Sequence, residues 1–215
     1  MTTKPKPATD LTAIAPADGI VLRLEALGID HRAADFPERF VTFCEQNDLY
    51  EMEVTAEGDL LILPMTGYRG NKQELYMSTF LTNWEMVNGG SASSQTVRFR
   101  LSSGAVLGPD AAWITQERFD ELPNDERETI IEGAPDFVVE ICSRTDNLRP
   151  LQNKMAQWMA GETRLGWLID ARLRQVHAYR AGQAEPQTLD DPEILDGEDV
   201  LPGFAFPVRR YIFDI

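Results

Sequence analysis

The run Phe137–Cys142, FVVEIC, restricts the fold of this chain more than any other stretch. Its nearly continuous apolar character is that of a central strand covered on both faces. One residue breaks the pattern. Glu140 places a carboxylate inside the run, where a charge is costly unless a partner or a metal ion meets it. The periodicity that follows predicts an amphipathic helix from about Asp146 to Ala160, carrying Lys154. The unit therefore needs a sheet around the strand, a helix over it, and something to answer Glu140.

Further elements flank this unit. A helix is predicted over Asp35–Asn47, with Asp35 as its cap, Pro37 in the first turn, and Phe36, Phe40, Phe43 and Cys44 at helical spacing. Tyr50–Val54 and Asp59–Leu63 flank Ala56-Glu57-Gly58 as a β-hairpin. Pro64–Gly70 reads as a loop, and Asn71–Val87 as a long helix that stops before Asn88-Gly89-Gly90. A second hairpin runs through Thr96–Leu101, turns at Ser102-Ser103-Gly104 and returns through Ala105–Leu107. Pro109-Asp110 then leads into the short strand AAWIT. Gln116–Glu132 is predicted helical in two short pieces, the second opened by Pro123. Leu165–Ile169 and Val176–Tyr179 read as an antiparallel pair, and an acidic segment with short strands begins at Glu185. This order predicts one α/β (α+β) domain, a mixed sheet flanked by helices, over residues 21–215, after a loose tail at 1–20.

A length of 215 residues with 43% hydrophobic composition is enough for one sizeable core. No apolar run has the length of a bilayer span, and MTTKPKPATD has no signal-peptide core, so a soluble, cytoplasmic protein is expected. The two cysteines, Cys44 and Cys142, read as small buried hydrophobes rather than a disulfide. The net charge of -15 argues against strong non-specific binding to nucleic acid. Its distribution is uneven. Ile141–Arg180 holds seven bases against three acids, whereas Glu185–Asp199 holds seven acids and no base. The basic segment reads equally as a solvated surface or as a phosphate-facing patch.

Several chemistries are excluded by count. Two histidines, His31 and His177, cannot build a histidine-rich metal site and leave little for a Ser-His-Asp relay. There is no GxxxxGK[ST] loop, no GxGxxG after a strand, and no pair of CxxC motifs. Carboxylates and a lysine remain. Asp110 opens one apolar strand and Glu140 sits in another, so neighbouring strands would let both reach one hard divalent cation such as Mg2+. On a helical projection Lys154 lies about 60° from Leu151, at the margin of the apolar stripe. From there it can snorkel to solvent or point back toward the preceding strand end. Taken alone, it reads as a surface lysine.

The ordered segments EGDLLILPMTG, PDAAWIT, PDFVVEICSRTD, LQNKMAQW, RLGWLIDARLRQVHAYRAG and LPGF resemble the bacterial Uma-two family of restriction-endonuclease-like proteins, from about Glu53 to the C-terminus. That family is similar to the PD-(D/E)xK nuclease fold. The resemblance implies Asp110 and Glu140 as metal ligands, with the backbone carbonyl of Ile141 as a third. Where the general nuclease pattern has a lysine two residues after the acid, this chain has Cys142. The resemblance implies that Lys154, on the next helix, replaces it. Glu74 matches an acidic position and is a candidate for orienting water, beside the equal reading of a solvated helix-face acid. A Mg2+- or Mn2+-dependent endonuclease acting on DNA, as a homodimer, is the expectation; a catalytically inert binding or regulatory module with the same fold is the alternative.

Overall fold

The computed structural model of the chain describes residues 20–63, 66–124, 127, 129–142 and 147–215. In chain order, β1 (Ile20–Arg23), α1 (Phe36–Gln46), β2 (Glu51–Val54), β3 (Asp59–Leu63) and α2 (Tyr68–Asn88) come first. β4 (Ser91–Ser94), β5 (Arg98–Arg100), β6 (Val106–Leu107), β7 (Ala111–Ile114) and α3 (Gln116–Glu121) follow. The rest comprises β8 (Ile130–Glu132), β9 (Phe137–Cys142), α4 (Leu148–Ala160), β10 (Leu165–Asp170), β11 (Gln175–Arg180), β12 (Gln187–Asp190), β13 (Leu195–Asp196) and β14 (Ala205–Phe206), with a final helical turn at Arg209–Phe213. Among the described residues no helix is long and apolar enough to cross a membrane.

The expected mixed α+β architecture is present, with its strands divided between two large sheets. Their orders are β1-β3-β2-β6-β5-β8 and β12-β11-β10-β9-β7-β4, and β13 pairs with β14. β9 lies inside the second sheet, parallel to β10 and antiparallel to β7. The alternation along β9 divides its side chains between two cores. Phe137, Val139 and Ile141 pack with Met77 and Leu81 of α2, with Trp167, and with Phe204 and Phe206 near the C-terminus. Val138 faces the other way, toward Met155 and Trp158 of α4 and Phe99 and Ala112. Each large side chain buried this way contributes about 1.5–3 kcal/mol. A third core joins α1 to the first sheet through Phe36, Phe40, Met52, Val54 and Leu60.

Gly166 sets how closely α4 approaches the second sheet. A Cβ there would collide with Met155 Cε and press on Val138 Cγ1 at 3.2 Å. Gly166→Ala is expected to lower the free energy of unfolding by about 1–3 kcal/mol through overpacking, read by urea denaturation.

Several boundaries differ from those the sequence predicts, each for a physical reason. Ile20 opens β1 instead of ending the tail, whose other residues lie outside the described ones. Asp35 occupies the cap position of α1 without a side-chain capping bond, and pairs with Arg39 at 3.6 Å instead. α2 begins at Tyr68 and absorbs Gly70, because packing of Gln73, Met77 and Leu81 outweighs the helix cost of one glycine. Of the predicted loop, Pro64 and Met65 lie outside the described residues, as does Asp146 at the expected start of α4. Asn147 caps that helix, its Oδ1 accepting from the Arg149 N–H at 3.3 Å. Ile130–Glu132, predicted helical, is strand β8, parallel to β5, with Ile130 in the third core. Residues 125, 126 and 128 of the same predicted helix lie outside the described residues. Ser91–Ser94, with no apolar pattern, becomes a strand by pairing with β7.

Candidate functional site

The chain crosses from the first sheet to the second at Gly108-Pro109-Asp110, between β6 and β7, and the site forms around that crossing. Ala111 pairs with Val139 in the antiparallel β7–β9 register. One further step sets Asp110 opposite Glu140, on the α4 side of the sheet. The Asp110 N–H donates to the Val139 carbonyl at 3.1 Å, and Asp110 Oδ2 accepts from the Ile141 N–H at 2.5 Å. The two strand-borne acids that the sequence singles out are thus brought together.

A third carboxylate joins them that sequence reasoning missed. In β2, Met52 and Val54 point into the α1 core, so the period of two turns Glu51 and Glu53 the other way. Glu53 is only 3% exposed, and its Oε1 accepts from the Gly108 N–H at 2.9 Å. The alternation itself is visible in EMEV, but in a hairpin it is also the pattern of a solvent-facing strand.

Lys154 resolves toward the interior. Its ammonium lies 2.8 Å from Glu53 Oε1 and 3.0 Å from Glu140 Oε2, and it donates to the Gly108 carbonyl at 2.7 Å. Three acceptors match the three donors of an ammonium. One helical turn later, Trp158 Nε1 donates to Glu140 Oε1 at 2.8 Å, so α4 grips both oxygens of Glu140. The surface reading of Lys154 does not hold, because its aliphatic stem follows the helix margin to Glu140 and Glu53 instead of outward; 14% of the side chain is exposed.

The balance of charge is unfavourable to the carboxylates. Burial pushes Asp110 up to about 6, against the pull of Lys154 and the Ile141 N–H. Burial likewise pushes Glu140 up to about 8, with Asp110 and Glu53 adding to the rise and Lys154 opposing it. For Lys154 burial favours loss of the proton, but Glu140, Glu53 and Asp110 together outweigh it and hold the pKa above the ordinary value. One ammonium is therefore shared among three acids, and the site retains a deficit of positive charge.

These groups line a cleft of about 720 Å³. Glu74 on α2 and Ile141 line it too, together with Glu51 and Glu57. Lys154 is the cation among the described lining residues, set against six acids. Cys142, which stands where the general nuclease pattern has its lysine, is fully buried in β9. Among the described residues, three bases of the basic segment pair with acids of the acidic one. Arg174 pairs with Asp191 at 2.7 Å, Arg180 with Glu198 at 2.7 Å, and Arg164 with Asp199 at 3.6 Å. His177 accepts or donates to Thr188 Oγ1 at 3.0 Å, at a distance in sequence and sheet order from the carboxylates.

Comparison with known proteins agrees with this geometry at the level of fold. A family model, Uma2, described as "putative restriction endonuclease", matches residues 37–209, a span that includes Glu53, Glu74, Asp110, Glu140 and Lys154. Among solved structures, the chain is similar to a protein from Anabaena variabilis whose crystal structure is described as that of a putative nuclease. The TM-score is 0.63 at 17% identity, over 75% of this chain and 89% of that one. Comparison with curated proteins gives no match.

Proposed function

Because the chain belongs to the Uma2 family of putative restriction endonucleases, we propose that it hydrolyses DNA phosphodiester bonds with the help of Mg2+ or Mn2+. The observation that carries this reading is the convergence of Glu53 and Glu140 on one lysine ammonium, with Asp110 beside them in the same cleft. The donor set suits a hard cation, since Mg2+ is commonly held by one or two carboxylates and keeps waters and substrate oxygens in its remaining positions. Among the described residues no group of three His, Cys, Asp or Glu side chains is placed to hold a metal ion, so the proposal rests on two carboxylates, with waters and substrate oxygens in the remaining positions. Asp110 and Glu140 are the proposed ligands, with the Ile141 carbonyl as a third.

A cation held there supplies Lewis-acid polarisation of a phosphoryl oxygen and lowers the pKa of water beside it. Lys154 offsets the negative charge that develops on the phosphoryl oxygens, and it orients the attacking water once one of its three protein acceptors gives way. Glu53 and Trp158 hold Lys154 and Glu140 in register. Glu74, across the cleft on α2, is the proposed second contact for that water.

The test is cleavage of varied DNA substrates in Mg2+ or Mn2+. Asp110→Asn and Glu140→Gln are each expected to reduce the rate by on the order of 10²-fold or more; cleavage that survives both substitutions sinks the assignment. The alternative, an inert module with this fold, draws on the net charge of -15 and on Cys142 at the position of the missing lysine. Calorimetry separates the two. Mn2+ binding in the millimolar range or tighter, lost in Asp110→Asn, counts against the inert module, and absence of any binding heat counts for it.

A further inference from the structure

We propose that the nucleic acid this cleft accepts is a single strand, or a strand end freed from its duplex, in preference to continuous double-stranded DNA. The inference rests on the nuclease reading above and deepens it. It begins with depth. Glu140 is 1% exposed and Glu53 3%, so a phosphodiester must be fed down into the cleft to meet them. A volume of about 720 Å³ is that of a site enclosing a small molecule, for which roughly 300–1,000 Å³ is usual. It holds a nucleotide or two. A stiff double helix brings a phosphate down to those acids only at the cost of bending or opening.

Charge points the same way. A duplex brings one negative charge per ~1.7 Å of axis, a single strand one per ~3.4 Å. One phosphate can be balanced by Lys154 and a divalent cation. The flanking phosphates of a second strand would face the carboxylates of the cleft with nothing in the described lining to balance them.

The walls are the third, independent feature. Leu61 and Leu63 of β3 and Pro150 and Leu151 of α4 give the cleft an apolar side. Gln157, which lines it one turn of α4 beyond Lys154, has a side-chain oxygen that is buried with no hydrogen-bond partner. An unpaired base offers what these groups lack: a flat apolar face for the leucines and, once the Gln157 side chain turns its enclosed oxygen into the cleft, an exocyclic amino N–H to donate to it. In a duplex the base faces are already used by stacking and the amino groups are held in the groove by pairing, and freeing a base costs a few kcal/mol. That cost is nearly absent for a single strand, and the difference is the source of the selectivity.

Fluorescence anisotropy on the full chain, in Ca2+ to separate binding from cleavage, tests the inference. The probes are a labelled strand of about 12 nucleotides, the blunt duplex of the same sequence, a duplex with an unpaired overhang, and an abasic strand of equal length. The strand and the overhang are expected to bind at least about tenfold more tightly than the blunt duplex. Gln157→Leu is expected to weaken the base-bearing strand several-fold and to leave the abasic strand unchanged. Blunt-duplex binding as tight as the strand's overturns the inference and leaves the nuclease reading standing. Unchanged strand binding in Gln157→Leu overturns the base contact. No binding of any probe, with no Mn2+-dependent cleavage, overturns the nuclease reading and the inference together.

Discussion

Lys154→Met is expected to destabilise the protein by about 3–5 kcal/mol near pH 8, by much less near pH 5, and to abolish divalent-dependent cleavage. The ammonium is bonded to Glu53 and Glu140 and to the Gly108 carbonyl, and a methionine of similar length keeps the stem packed while removing the charge. What remains is a set of buried carboxylates with no cation. An uncompensated buried charge is costly, and the cheapest escape is to take up a proton. At pH 5 that uptake is easy, so the penalty shrinks; at pH 8 protons are scarce and the penalty is near its full value. Urea denaturation of wild type and variant at the two pH values measures the difference. An equal loss at both would mean that Lys154 stabilises by packing alone and does not balance the acids. The cleavage arm is independent, since a variant that folds at pH 6 but does not cut separates the ammonium's role in chemistry from its role in stability.

A second large effect is expected without any substitution. As pH rises from about 4 to about 8, the metal-free protein loses stability, and a saturating divalent cation recovers much of it at the upper end. The sign follows from linkage. The folded values of Asp110, about 6, and Glu140, about 8, lie above those of the unfolded chain, so the folded protein retains protons that the unfolded one has released. Stability then falls as pH rises through that window, by up to about 1.4 kcal/mol per pH unit for each group. Lys154 adds no slope there, because its raised pKa lies above the window. A cation binds the ionised carboxylates and competes with their protons, so it stabilises most above pH 7 and little below pH 5. Thermal unfolding against pH, with EDTA or with excess Mg2+, reads both curves. The double variant Asp110→Asn, Glu140→Gln should flatten the metal-free curve and lose the response to Mg2+. A wild-type curve that rises over the same window would mean that neither acid is held protonated by burial.

Some of this molecule is legible from local pattern, for identifiable reasons. The two hairpins at β2–β3 and β5–β6, the strands β7 and β9, and the helix α4 carry periodicities and turn residues that act over a few residues, and each lies close to where the sequence predicts it. Glu140 stands out because a charge in an apolar run has no local explanation. Asp110 stands out because it opens another apolar strand, and antiparallel pairing of those strands brings the two together.

Other features depend on what lies across the fold. Ser91–Ser94 is a strand only because β7 offers it an edge, and Ile130–Glu132 only because β5 lies beside it. The Arg174, Arg180 and Arg164 pairs join segments that read separately as basic and acidic surfaces. Glu53 looks like the wet face of a hairpin until the second sheet and α4 close over it. Lys154 is ambiguous on its own helix, because a side chain at the stripe margin has two directions open to it. The choice between them is electrostatic and non-local. A lysine amine buries when carboxylates from two other sheet elements wait at hydrogen-bonding distance, and no stretch of sequence around residue 154 records where β2 and β9 will be. Local pattern thus dictates which side chains are available to the cleft, and only the packing of two sheets against one helix decides that an ammonium stands among them.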